Sequence, residues 1–263
     1  MLLADAYTFA RSPQDLAENP RDAERAVAIL EDAIETTSEA NDRHVLQLKA
    51  ASLRASLALG DETGASMLQV VTQTRDLLKQ VDGTSLEPIG LMELARRCIF
   101  SGQPAEAQKL YERLGKDDRW QSLVLSEMGL VCAASGDERG ATRTFETAIA
   151  STTPQSMAAL NEAYRDALGE RYWSFWATVE TLAVRQCQNH AWLAGLRARG
   201  GDLERARAHL RLAIEWLDNE EMAAMRAVLA PEMVLRFDQM FPELSDAPEL
   251  VALREEGLSS EDG

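Results

Sequence analysis

Leu123-Val124-Leu125-Ser126-Glu127-Met128-Gly129-Leu130-Val131-Cys132-Ala133-Ala134 leads through Ser135 into Gly136-Asp137-Glu138-Arg139-Gly140-Ala141, and the reading of this stretch decides the fold. Its first part is apolar at i, i+3, i+4 and i+7, which is one face of a helix. Gly136 supplies the permissive backbone that a helix C-terminus requires. Asp137 stands where it caps the next helix, whose first turn favours acids. That second helix carries Ala141, Phe145 and Ala148 at i, i+4 and i+7. A small-large-small stripe lets two helices approach closely and gives the large side chain a slot.

The pattern recurs. Gly60-Asp61-Glu62-Thr63-Gly64-Ala65, Gly102-Gln103-Pro104-Ala105-Glu106-Ala107 and Gly201-Asp202-Leu203-Glu204-Arg205-Ala206 are further turn-plus-helix starts, and Arg21-Asp22-Ala23-Glu24-Arg25-Ala26 is a relative without Gly. Successive turn glycines lie 42, 34 and 65 residues apart, so the last gap has room for one more unit. Spacings near ~34 residues mark arrays of helix-turn-helix units. The stripe reads Ala107, Tyr111, Leu114 after Gly102, Ala206, Leu210, Ala213 after Gly201, and Ala26, Leu30, Ala33 in the opening unit. After Gly60 it is degraded to Ala65, Gln69 and Thr72.

Seven residues before the turn Gly stand Ala95, Gly129 and Ala194, each preceded by an apolar Leu94, Met128 or Leu193. In this register the segments resemble tetratricopeptide repeats over roughly residues 15–217. The resemblance implies an all-α fold, a right-handed α-solenoid of about five to six helix-turn-helix repeats spanning 1–217, with a degenerate unit near 156–186. A C-terminal capping region is expected over 218–257, with Met222, Met225, Val228, Leu229, Met233, Val234 and Phe237 as its apolar face and Pro231 opening a new helix. Asp246-Ala247-Pro248-Glu249-Leu250 reads as one more short capped helix, and 258–263 as an acidic tail.

Composition bounds the function. The 263 residues carry 27 basic and 43 acidic side chains, a formal net charge of −16. Such a balance opposes nucleic-acid binding and anionic membranes and favours basic partners. Cys98, Cys132 and Cys187 form no close Cys-Cys motif and read as reduced thiols filling apolar positions. Met1-Leu2-Leu3-Ala4-Asp5-Ala6 lacks the basic start of a signal peptide, and no apolar stretch approaches ~20 residues, so a cytoplasmic location is expected. Neither a nucleophile elbow nor a phosphate-binding Gly loop is present. Cys187 and His190 are an i, i+3 pair without further ligands nearby in sequence. No enzyme activity, cofactor or metal is therefore expected.

The tetratricopeptide resemblance implies a concave groove lined by the first helices of successive units. Arg54 and Arg96 each lie six residues before a turn Gly, and Phe100 and Arg199 each lie two before one, so these four are the candidate groove residues. Two guanidinium groups suit a ligand carboxylate. The chaperone-type carboxylate clamp of the family is not supported, because Ala50, Met92 and Ser126 occupy one of its rows. Tyr172, Trp173, Trp176 and Trp192 form a candidate contact surface, since together with Phe175 the first three cover much of a helix circumference. The expected function is a non-catalytic adaptor or scaffold for a protein or peptide partner, with self-association open. An acidic secretion or assembly chaperone and a sensor of a small molecule or signal peptide stand as alternatives. Charge reversal at both Arg54 and Arg96 is expected to weaken partner capture without unfolding the chain; undiminished pull-down of a native partner would remove the pair from the site.

Overall fold

A computed structural model describes residues 20–58, 64–173 and 181–259. The first residues of the chain, the turn at Gly60, Trp176 and the tail from 260 lie outside them. Every regular element among the described residues is helical. The order is α1 Pro20–Thr36, α2 Ala40–Ala58, α3 Ala65–Val81, α4 Glu87–Phe100, α5 Pro104–Leu114, α6 Gln121–Ala134, α7 Glu138–Ser151, α8 Pro154–Leu168, α9 Leu182–Arg199, α10 Leu203–Leu217, α11 Ala223–Met240 and α12 Pro248–Ser259. Short 3-10 turns stand at Asp118–Trp120, Glu220–Met222 and Pro242–Leu244. No described helix is long and apolar enough to cross a membrane.

Two compact units divide the chain: Met1–Trp120 with Glu162–Ser174, and Gln121–Asn161 with Phe175–Gly263. In the first, α1 to α5 pack in series, each against the next. In the second, α6 packs on α7, α7 on α9 and α9 on α10, followed by the pair α11 and α12. The helix adjoining α7 is thus α9, and residues Glu162–Leu168 of α8 belong to the first unit.

Local chemistry explains the hairpins. Gly102, Gly136 and Gly201 have φ of 73°, 77° and 80°, which strains any residue with a Cβ. Each turn closes with the same backbone bond, from the N–H of the following residue to a carbonyl five residues back: Gln103 to Cys98 at 2.7 Å, Asp137 to Cys132 at 2.9 Å and Asp202 to Arg197 at 2.9 Å. These bonds satisfy carbonyls that the helix end leaves open. The two aspartates then cap the next helix: Asp137 Oδ1 accepts from the Gly140 N–H at 2.8 Å, and Asp202 Oδ1 from the Arg205 N–H at 3.2 Å.

The stripes are interior. Ala141, Phe145 and Ala148, Ala107, Tyr111 and Leu114, and Ala206, Leu210 and Ala213 are all buried, as are Ala26 and Leu30, with Ala33 partly so. A Cβ added to Gly129 would stand 2.7 Å from the Phe145 ring, so the missing side chain of α6 is the slot that the ring of α7 fills. In α3 the expected Ala65, Gln69 and Thr72 face solvent. Met67, Val71 and Thr74 are buried in their place, a register two residues later, and the helix starts after Gly64 at φ 68°. The buried Thr74 hydroxyl donates to the Val70 carbonyl at 2.8 Å, which makes a polar residue acceptable there.

Pro231 does not open a helix. It lies inside α11, which runs unbroken from Ala223 to Met240. An interior proline forfeits one backbone bond and costs about 3 kcal/mol. Met222 before it and Met233, Val234 and Phe237 after it share one core with α9, α10 and α12, so burial on both sides holds the helix through the proline. Phe241, just past α11, lays its ring against α9 where Gly195 has no side chain to obstruct it. The ring stands 5.6 Å from that of Phe237.

Gly129→Ala is expected to destabilise the protein by about 1–3 kcal/mol in urea unfolding, the usual cost of overpacking. Adding Phe145→Leu should recover part of that loss, whereas additive losses would show that the ring and the glycine are not coupled.

Candidate interaction surface

The four groove candidates occupy different surroundings. Arg54, on α2, is half-exposed and paired with Glu31 of α1. It lines an open depression of about 320 Å³ with Leu57, Ser66, Gln69 and Gln73. Arg96, on α4, is half-buried. Phe100, at the end of the same helix, is 62% exposed, although an aromatic ring gains free energy on leaving water. Arg199, at the end of α9, is engaged within the second unit. It pairs with Glu138 at 3.1 Å, donates to the Met240 carbonyl at 3.1 Å and lies 5.0 Å from the centre of the Phe241 ring. Arg199 therefore clasps the end of α11, while Arg54, Arg96 and Phe100 belong to the first unit.

Among the aromatic candidates, Tyr172 is buried, and Trp192 is half-buried between two rings. It stacks on Phe145 at 6.1 Å and meets Phe241 edge-on at 5.7 Å. Trp173 is half-buried, donates from its indole nitrogen to Glu170 at 3.0 Å and lies under the Arg165 guanidinium at 4.3 Å. Trp176 lies outside the described residues.

A segment that the sequence reading marked as a degenerate unit near 156–186, without anticipating its contacts, crosses the first unit. α8 buries Ala163, Tyr164, Ala167 and Leu168 there, at helical spacing. The Tyr164 ring meets Trp120 edge-on, with centres 4.8 Å apart, and its hydroxyl lies 3.2 Å from the Met92 sulfur of α4. Ser85, just before α4, donates to the Ala167 carbonyl at 3.3 Å. Arg119 reaches Asp166 at 2.6 Å. Past Gly169, whose φ of 74° ends the helix, Arg171 pairs with Asp42 of α2 at 2.7 Å. Burial, then a hydrogen bond with Asp42, pushes the Tyr172 phenol above its ordinary pKa. Residues Glu162–Trp173 thus run from Trp120 past the start of α4 to the start of α2. Met92, on the row expected to face a ligand, is covered by the chain's own tyrosine.

Two buried ion pairs were also not anticipated. Glu93 and Glu127 each lie nine residues before a turn Gly. Glu93 pairs with Arg97 one turn on at 2.7 Å, and Glu127 with Arg185 of α9 at 3.5 Å. The i, i+4 spacing of the first was a legible signal. The second pair, separated by 58 positions in sequence, gave none. Removing one partner of a buried pair strands the other charge; the first pair lies within α4, and the second links α6 to α9.

Cys187 and His190 do not combine into a ligand set; among the described residues no group of three or more potential ligands assembles. His190 instead meets His209 of α10, Nδ1 to Nδ1 at 3.0 Å, with one ring donating and the other accepting. Burial, and then His209, push His190 down to about 4, while burial and then Arg197 lower His209. Cys98 is buried, which raises its thiol to about 11 and leaves it unreactive.

No protein-family model matches the chain, and no match was found among curated proteins. What the geometry defines is an all-α protein whose neighbouring helices pack in series, consistent with a helical repeat protein.

The histidine pair gives a pH dependence with a definite sign. Unfolded imidazoles bind protons below about 6.5 whereas folded His190 resists until about 4, so the unfolded state binds more protons in that window. Stability is then full above the unfolded value and falls as pH drops towards 4. Replacing His190 by Gln should flatten the fall in urea midpoint across this window relative to the wild type; parallel profiles would show that the pair does not titrate with folding.

Proposed function

We propose that the chain is a non-catalytic scaffold of the tetratricopeptide-like kind, a right-handed solenoid whose first helices capture a helical segment of a partner protein. One observation carries this reading: the face formed by the start of α4 and by Trp120 seats a helix, residues Glu162–Leu168, through a buried aromatic, a carbonyl contact and a flanking ion pair, and Arg171 just past it reaches the start of α2. A surface that recognises a helix in this way has the chemistry of helix-in-groove binding, with apolar anchors at helical spacing inside a polar rim. The acidic balance, 43 acids against 27 bases, favours a basic partner. Cysteines that form no disulfide fit a reducing cytoplasm.

Phe100 is the exposed aromatic on a first helix of this unit, and the reading gives it a role. Phe100→Ser should leave the thermal midpoint within about 2 °C of the wild type, since the ring is already in water. Affinity capture from the source cells, quantified against the wild type, should lose its specific partners by about tenfold, the effect of a modest hot spot of about 1.4 kcal/mol. An unaltered partner profile from a folded variant would exclude this end of α4 from the binding surface.

A further inference from the structure

We propose that residues Glu162–Trp173 are an internal pseudo-ligand, and that the partner displacing them is an amphipathic helix carrying an aromatic side chain one turn before its C-terminal end and a basic residue in the turn that follows. The inference rests on the helix-capturing reading above and names the chemistry of the captured helix.

The occupant's own contacts supply that chemistry. Tyr164 is the anchor, fully buried, with its ring edge-on to Trp120 and its hydroxyl against the Met92 sulfur. Small Ala163 and Ala167 flank it, so the helix lies close to its seat, and the Ala167 carbonyl takes the Ser85 hydroxyl. Arg171, seven residues after Tyr164, places its guanidinium on Asp42. An aromatic that is both apolar and hydroxylated suits a pocket made of an indole and a thioether. An acid at the far end selects a cation, and the net charge of −16 biases every approach in the same direction.

The segment joins a buried apolar face, Ala163, Tyr164, Ala167, Leu168 and Tyr172, to weak polar links at its rim. α8 makes no extensive helix-to-helix contact of the kind that joins α9 to α10 or α4 to α5. Its polar links are at the rim: Arg171 is 73% exposed and Asp166 61%, and ion pairs in such positions contribute little. Its seat on the first unit is the Trp120 ring, the Met92 sulfur, the Ser85 hydroxyl and the two ion-pair partners Arg119 and Asp42. A partner helix of the same pattern meets the same groups.

Tethering decides whether exchange is seen. A segment held in the same chain competes at an effective concentration on the order of mM, so a free peptide of equal intrinsic affinity is largely excluded until the latch is weakened. The test uses a fluorescein-labelled peptide of residues 157–173 and the full chain, with binding read by anisotropy. The wild type should bind weakly. The chain carrying Tyr164→Ala and Arg171→Glu should bind the peptide at least about tenfold more tightly, because its own segment competes poorly. A peptide in which Tyr164 is replaced by Ala should lose that affinity. Asp42→Arg placed on a chain carrying Tyr164→Ala and the neutral Arg171→Gln should also abolish it, and a peptide bearing Arg171→Asp should restore it.

Should Tyr164→Ala unfold the chain by circular dichroism, Arg171→Glu alone carries the comparison, since that side chain is mostly in water. A folded latch variant that binds no better than the wild type overturns the proposal, as does peptide binding indifferent to Asp42. The assay contains no cellular partner, so its failure leaves the Phe100 experiment standing, and the reverse also holds.

Discussion

The packing of α6 on α7 depends on a large side chain finding a partner that has none. Phe145 occupies the space that Gly129 leaves vacant, and Phe241 uses Gly195 in the same way. Such a fit works only if the turn returns the second helix at one angle and one register. Gly136 at φ 77° and the bond from the Asp137 N–H to Cys132 fix the first, and the Asp137 cap fixes where the new helix begins. Three cheap local devices therefore serve one steric requirement. Because protein interiors are close-packed, a methyl group out of place is felt. The three devices occur together around Gly136 and Gly201; around Gly102 the glycine and the backbone bond remain without a side-chain cap.

In α3 the geometry shifts and the fold survives. α3 begins after Gly64, and its buried stripe of Met67, Val71 and Thr74 sits two residues later than the spacing from Gly60 implies. The pairing of α2 with α3 persists because any apolar line at i, i+4, i+7 can face the neighbour. Gln69 and Thr72 being polar was the clue: they stand in water. Pro231 failed as a boundary marker for a related reason, since burial before and after it outweighs one lost backbone bond.

What was legible was what lies within one hairpin. The capping aspartates, the turn glycines and the Ala-led stripes are all relations between residues fewer than about twenty apart, which periodicity and propensity describe. The candidate site was less legible. Phe100 is exposed at the end of its helix as a ligand-facing position requires, yet Arg199 is spent on Met240 and Phe241, residues some forty positions away. The contacts of Tyr164 with Met92 and of Arg185 with Glu127 span 72 and 58 residues. The amphipathic spacing of Met157, Leu160, Tyr164 and Leu168 was visible; its target was not, because an apolar face specifies burial without naming the surface that buries it.

The excess of acid acquires a more specific meaning in this light. Most arginines are already committed to carboxylates: Arg75 to Glu106, Arg113 to Glu87 and Arg207 and Arg211 to Glu249. Such pairs on a surface add little to stability, so their main effect is to leave the unpaired acids in control of the outer potential. A cation arriving from outside then meets an attractive field with few internal competitors. Arg171 on Asp42 shows how the chain answers that field from within, using a base from a segment outside the serial stack. Around Tyr164 the two kinds of contact are separated in space: the ring is buried with Ala163, Ala167, Leu168 and Tyr172, while Arg171 and Asp166 stand largely in water. On the scaffold reading proposed above, the buried ring would set specificity and the exposed charges would set the ease of exchange.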